Sequence, residues 1–202
     1  MNDTKKIGRP RNFDADEALL AAMQVFWSKG YDGASLKDLT RAMGISGPSM
    51  YAAFGDKREL YLKTIDRYSD VNGCAPIIAF ESEPNLRQAV RGFFEAVINY
   101  STDHENGMRG CFLASCAATN VGEIEGVEAR MVNAINETDT RLAKRFDAEK
   151  AKGNLPADFP SLARARLMFD MRQGYVFRSR AGWKANELLE DIEHRIDMIV
   201  SA

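Results

Sequence analysis

The chain has 202 residues, 45% hydrophobic and 28% charged, with a formal net charge of −2, the balance of a globular protein long enough for one domain or two small ones. No apolar run approaches the roughly 18 residues that span a bilayer and no signal-like segment opens the chain, so a cytoplasmic protein with no membrane partner is expected. Three cysteines, two histidines and no CxxC or HExxH exclude a disulfide framework and argue against a metal or other cofactor.

The charge is unevenly placed. Residues 1–67 hold 11 Lys+Arg against 9 Asp+Glu, leaving 16 against 20 in residues 68–202. At the front, Lys5, Lys6, Arg9 and Arg11 face one acid, Asp3. A basic leading arm points to an acidic polymer met from that end.

The elements read as helices throughout, since no stretch alternates apolar and polar residues over a strand's length. FDADEALLAAMQVFWSKG opens the first, with Asp14 as N-cap, Glu17 in the capping-box position, Gly30 as terminator and Leu19, Met23, Phe26 and Trp27 on one stripe. A second helix follows Ser35, burying Leu36, Leu39 and Met43, and Gly44 permits a sharp turn. The third runs from Ser46 to about Phe54, ended by Gly55. Asp56 caps a fourth, boxed by Glu59, and NGCAP at 72–76 marks a boundary.

Beyond the boundary, a helix after Pro84 carries Leu86, Val90, Phe93, Phe94, Val97 and Tyr100, and stops near Asn106-Gly107. GCFLASCAATN reads as a short buried helix. Val127, Met131, Ile135, Thr138, Leu142 and Phe146 trace one face of a long helix from about 125 to 152. A loop at 153–160 precedes helices at about 161–181 and 187–200.

Residues 35–54 therefore form helix, tight turn, helix: the helix-turn-helix layout, whose second helix enters the DNA major groove N-terminus first. Gly47 and Pro48 offer little bulk there, and Pro48 costs nothing in a first turn that lacks intrahelical partners. Ser46 and Ser49 suit base edges or phosphates, and Tyr51 offers a hydroxyl and a ring. Lys57 stands at a helix start, where a cation is unfavourable unless an external anion compensates. The GRPR core of the arm suits a minor groove.

Residues 8–62 resemble the DNA-binding domain of the TetR/AcrR family of bacterial transcriptional regulators. The pattern G-[IV]-S-x-x-x-x-Y-x-x-F-x-x-K-x-x-L is matched by Gly44, Ile45, Ser46, Tyr51, Phe54, Lys57 and Leu60. Ala52 and Ala53 depart from the aromatic or histidine residues frequent at those places. The resemblance implies an all-α protein with an N-terminal three-helix helix-turn-helix DNA-binding domain and a C-terminal helical ligand-binding and dimerisation domain. The expected division is a basic arm at 1–12, the DNA-binding domain at 13–56, a connecting helix at 57–71 and the ligand and dimer domain at 72–202.

The predicted contacts to a double-stranded DNA operator are Arg9, Arg11, Ser35, Lys37, Ser46, Gly47, Pro48, Ser49, Tyr51 and Lys57. The resemblance implies that the last two helices pair with those of a second copy in a four-helix homodimer interface, carrying Phe177, Leu188, Ile192, Ile196 and Ile199. Candidate contacts for a small-molecule inducer are Phe93, Val97, Tyr100, Cys111, Phe112, Met131, Phe169, Arg172, Gln173 and Tyr175, all of which also suit a plain core.

RGCFLASCAA resembles a Gly-Cys-Leu/Phe motif found in a subset of the family, some of whose members use this cysteine to sense oxidants or electrophiles. Cys111 therefore reads either as a thiol switch or as a small buried residue. Cys116, five positions on, would project about 140° away on one helix. Cys74 falls near a probable turn. The expected function is that of a repressor released from a palindromic operator by an inducer. A regulator switched through Cys111 and a helical adaptor that has lost DNA binding stand as alternatives. No nucleophile elbow, phosphate loop or paired-carboxylate motif supports an enzyme, and neither His104 nor His194 has a nucleophile placed by sequence.

Overall fold

The structure, a computed structural model, describes residues 13–71, 75–103 and 110–201. Arg9, Arg11, Cys74, His104 and the Asn106-Gly107 stop lie outside the described residues. The described residues form helices, with no strand among them: α1 (Ala15–Gly33), α2 (Leu36–Met43), α3 (Gly47–Phe54), α4 (Lys57–Val71), α5 (Ala75–Ser82), α6 (Leu86–Thr102), α7 (Val127–Ala151), α8 (Ser161–Arg180), α9 (Ala185–Leu189) and α10 (Ile192–Val200). The chain divides into two compact units, residues 1–64 and 65–202, and the division falls inside α4.

The first unit is shaped by local chemistry. Asp14 accepts from the amides of Asp16 and Glu17 at 2.8 and 3.1 Å, so two first-turn N–H groups of α1 are satisfied. Gly30 breaks the helical path at φ 71°, ψ 175°, where the sequence places a stop. Ser35 and Asp38 form a reciprocal capping box on α2. Leu39 and Met43 are buried beneath α2, but Leu36, expected with them, is 40% exposed in the first turn. Gly44 ends α2 at φ 66°, a left-handed conformation that costs glycine nothing. Phe26 and Tyr61 meet edge to face at 4.9 Å and close the core of this unit, with Leu39, Met50 and Leu60 fully buried around them.

In the second unit α6 is the central helix, packed by α5, α8, α9 and α10, while α7 lies along α8. Phe80, Phe93, Phe94, Phe146 and Tyr175 fill the space between them, joined by tilted and edge-to-face ring pairs such as Phe80–Phe146 at 5.5 Å and Phe94–Tyr175 at 5.6 Å. Ala75 and Pro76 belong to α5 rather than to a break, since proline is tolerated in a first turn. The uncharged stretch after Gly110 is a π-helical turn at Leu113–Ala117 and a 3₁₀ turn at Ala118–Asn120 in place of a regular buried helix. Asp191, at φ −107° and ψ 18°, splits the expected 187–200 helix into α9 and α10.

A buried polar network pins α7. Glu149 is 2% exposed and accepts from Arg145, from Lys152 Nζ at 2.8 Å and from Asn154 Nδ2 at 2.7 Å. Arg145 also donates to the carbonyls of Glu83 and Pro84 at 3.0 and 3.1 Å, tying α7 to the α5–α6 turn. Burial alone would raise the Glu149 carboxyl, but the hydrogen bonds from Asn154, Lys152 and Arg145 outweigh it and hold the pKa at about 2. A depressed folded-state pKa gives stability that is full above the ordinary carboxylate value and is lost as pH falls through the folded one. Wild-type protein should therefore lose stability between the ordinary value, 4.5, and about 2. Glu149→Ala should lose about 3 kcal/mol at neutral pH by stranding Arg145, with a flatter acid limb in denaturant titrations at stepped pH.

Candidate nucleic-acid interface and cavity

The turn between α2 and α3 presents a short helix by its N-terminus. Ser46 caps α3, its Oγ accepting from the Ser49 amide at 3.3 Å and lying 2.9 Å from Ser49 Oγ. Each hydroxyl keeps hydrogen-bonding capacity beyond this pair. Pro48 follows Gly47, which opens α3, and nothing lies within 4 Å of the Cβ that a side chain at Gly47 would add. Met50 and Phe54 turn inward, and Tyr51 is 50% exposed. Half the tyrosine therefore stands out of the domain beside two serines and a proline.

Lys57 begins α4 after Asp56, whose Oδ1 accepts from the Glu59 amide at 2.8 Å while its own amide donates to Glu59 Oε2 at 2.9 Å. The ammonium of Lys57 sits 4.5 Å from the centroid of the Tyr31 ring, so its chain is steered by cation–π attraction at a helix N-terminus. Ser35 and Lys37 are exposed on and before α2. Ser35 Oγ donates to Asp38 Oδ2 at 2.7 Å, and hydrogen bonds from Ser35, then Lys29, hold the Asp38 carboxyl down at about 2. The structure thus gathers Ser35, Lys37, Ser46, Gly47, Pro48, Ser49, Tyr51 and Lys57 in the first unit, and the helix caps fix their backbone.

The second unit contains a cavity of about 630 Å³, within the range of small-molecule sites. Of the ten predicted ligand contacts, Cys111, Met131, Phe169, Arg172 and Gln173 line it. Phe93, Val97, Phe112 and Tyr175 are instead completely buried core and lie outside its lining. Tyr100 stands behind the wall, where its hydroxyl accepts from Arg172 Nε at 3.3 Å. The remaining lining comes from α4 (Ser69), α5 (Ile77), the turn after Gly110 (Leu113, Ala114, Ser115, Ala118, Thr119), α7 (Ala134, Ile135, Glu137, Thr138, Arg141) and α8 (Val176, Phe177, Arg180). The sequence carries a signal for the α7 contribution, because Met131, Ile135 and Thr138 repeat at helical spacing.

Cys111 is fully buried and its thiol is free, with Sγ 3.9 Å from Arg172 Nη2. Gly110 makes this possible. At φ 81° a Cβ there would come within 3.0 Å of Val176 Cγ1 and of the Arg180 side chain, so only glycine lets the backbone pass this close to α8. Of the residues predicted for a dimer interface, Leu188, Ile192, Ile196 and Ile199 are buried within the subunit, each 5% exposed or less, whereas Phe177 is 75% exposed. Among the described residues no group of His, Cys, Asp and Glu is assembled for a metal, and no helix is long and apolar enough to cross a membrane.

A capped helix-turn-helix unit joined to a helical unit with a cavity defines the class: a one-chain regulator architecture. Residues 18–64 match the profile of the bacterial regulatory proteins, tetR family. Over 93% of this chain and 98% of the other, the structure is similar, at 32% identity and a TM-score of 0.83, to a cysteine mutant of the TetR family transcriptional regulator CifR complexed with 26 bp double-strand operator DNA. The HTH-type transcriptional repressor ComR of Escherichia coli is 29% identical over 92% of this chain and 89% of its own. The repressor BdcR of the same organism is 28% identical over 83% and 84%. The chain belongs to the TetR family of transcriptional regulators.

Proposed function

We propose that the protein is a homodimeric repressor that holds a palindromic operator through α3 and is released by a small molecule bound in the cavity of the second unit. The observation that carries the reading is the half-exposed Tyr51 on a serine-capped, proline-opened helix, followed by Lys57 at the next helix start. The serines, Tyr51 and the first turn of α3 supply contacts to base edges, while Lys57 at the start of α4 holds a phosphate. CifR bound to operator DNA supports the same docking here. Arg9 and Arg11 would follow the adjacent minor groove.

A dimer places two copies of α3 about 34–36 Å apart on one face of the duplex. Exposed apolar residues support a pairing face on α8 and α10: Leu162, Phe177 and Met198 are 46%, 75% and 43% exposed. Arg164 donates to the Met198 and Ser201 carbonyls at 2.6 and 2.8 Å, joining the start of α8 to the end of α10. The partition into arm 1–12, DNA-binding domain 13–56, connecting helix 57–71 and effector domain 72–202 gives each step a segment. α4 contains both Lys57 and the cavity residue Ser69, so ligand-driven movement of this helix is the proposed two-state element. No catalytic step belongs to this reading. Capture of genomic DNA by the purified protein tests it, and a shared palindrome among the captured fragments is the expected result.

The thiol favours a second reading of the release step. Cys111 lines the cavity with its Sγ 3.9 Å from the Arg172 guanidinium, where a small electrophile held in the cavity would meet it. If the thiol is the trigger, N-ethylmaleimide should release wild-type protein from its operator and leave Cys111→Ser bound. Equal release of both proteins rules the switch out.

A further inference from the structure

Arg172 presents an unsolved charge balance. Its side chain is 5% exposed, and a guanidinium keeps its proton in a protein. Burial of a cation is strongly unfavourable without a counter-ion. Arg130, Arg141 and Arg145 of the same unit pair with Asp66, Glu81 and Glu149. Among the described residues no carboxylate pairs with Arg172, whose neighbours are the Tyr100 hydroxyl, the Cys111 thiol and the Phe169 ring at 5.7 Å. Burial raises the phenols of Tyr68 and Tyr100 above their ordinary values, so both are neutral at physiological pH. Of the five N–H donors of the guanidinium, the Nε–H and one on Nη2 are engaged.

Arg172 also lines the cavity. Gln173 lies next to it on the wall, and its Oε1 is buried without a partner. Among the other charged lining residues, Arg141 is matched by Glu81 through two hydrogen bonds, and Arg180 and Glu137 are both exposed, where solvent screens their charge. The buried positive charge on the wall without a carboxylate partner is that of Arg172. The rest of the wall is largely apolar, with Leu113, Met131, Ile135, Phe169 and Val176. A small inorganic anion would leave those side chains against water. A single negative charge on an apolar body satisfies both the cation and the wall.

We propose that the cavity takes an organic monocarboxylate with an apolar body, its carboxylate paired with the Arg172 guanidinium and its tail against α7 and α8. This rests on the reading of the cavity as the effector site and names the chemical class of that effector. Arg172 and Gln173 are the recognition residues, and Cys111 is part of the wall.

The test is calorimetric binding of octanoate, decanoate and phenylbutyrate to the full chain, each against its uncharged amide. The wild-type protein should bind the acids at least about tenfold tighter than the amides, the value of one charge-assisted pair in a buried site. Arg172→Gln should erase that ratio and leave the amide affinities where they were. The acid-to-amide ratio in wild-type protein needs no variant, so misfolding of Arg172→Gln does not blunt the experiment. Parity of acids and amides in wild-type protein overturns the proposal, as does failure of every acid to bind. If Cys111→Ser acquires an acid preference that wild-type protein lacks, the Cys111 thiolate is the counter-ion and the proposal also falls. Operator binding is measured on the same samples without acid: its loss defeats the repressor reading, whereas the ligand class is judged on the acid-to-amide ratio alone.

Discussion

Replacing Tyr51 and Lys57 together by alanine is expected to weaken operator binding at least about a hundredfold, because in the proposed docking each subunit of the dimer gives up a hydroxyl at the groove and an ammonium at a phosphate. Tyr51 is half exposed and contributes little to the core. Lys57 gives up its cation–π attraction to Tyr31, worth about 0.5–1 kcal/mol, so the thermal midpoint should move by only a few degrees. The two single variants should differ in kind. Lys57→Ala should weaken all DNA about equally and lower the slope of log affinity against log salt by about one for each phosphate it no longer neutralises. Tyr51→Phe should act more on the preferred site than on random duplex, since a hydroxyl bonded to a base edge carries sequence information. Mobility shifts at several salt concentrations measure both. A double variant that binds its operator like wild type would remove α3 from the interface.

The second large effect contrasts two phenylalanines of the same unit. Phe94 is completely buried between Phe93 and Tyr175, with centroids at 5.4 and 5.6 Å. Phe94→Ala should cost about 3–5 kcal/mol, the transfer of a ring plus the cavity left behind, and lower the midpoint by roughly 10 °C. Phe177→Ala, at 75% exposure, should leave the unfolding of the isolated subunit nearly unchanged and weaken self-association instead. Thermal unfolding and sedimentation velocity on both variants separate the two roles. A loss of subunit stability at Phe177 equal to that at Phe94 would contradict the proposed pairing face.

Legibility in the sequence followed the range of the forces involved. The helix-turn-helix was readable because caps and turns are local: Asp14, Ser35, Ser46 and Asp56 satisfy amides within three residues of themselves, and Gly44 takes the positive φ that the turn needs. The cavity was only half readable. Phe93 and Phe169 both sit at helical spacing, yet one is packed on all sides and the other faces empty volume, a difference decided by distant helices. The face formed by Leu188, Ile192, Ile196 and Ile199 shows the same limit. Periodicity marks it as buried, and only the fold reveals that this subunit's own helices, α6 among them, cover it. The stretch from Leu113 to Asn120 reads as a short buried helix because small and apolar residues follow one another, but the backbone takes a π turn and then a 3₁₀ turn there. The carboxylate that Arg172 lacks is likewise a fact of three dimensions.

The central claim is sequence-specific, phosphate-anchored DNA binding by the first unit, and an operator titration against salt tests it most directly. Genomic fragments captured by the purified protein supply the site, and affinity for the best of them is then measured from low to physiological salt beside a scrambled duplex of equal length. A palindromic site held at least about a thousandfold tighter than the scrambled control is expected, with affinity falling steeply as counterions compete. No enriched sequence at low salt, or equal affinity for the scrambled duplex, would contradict it.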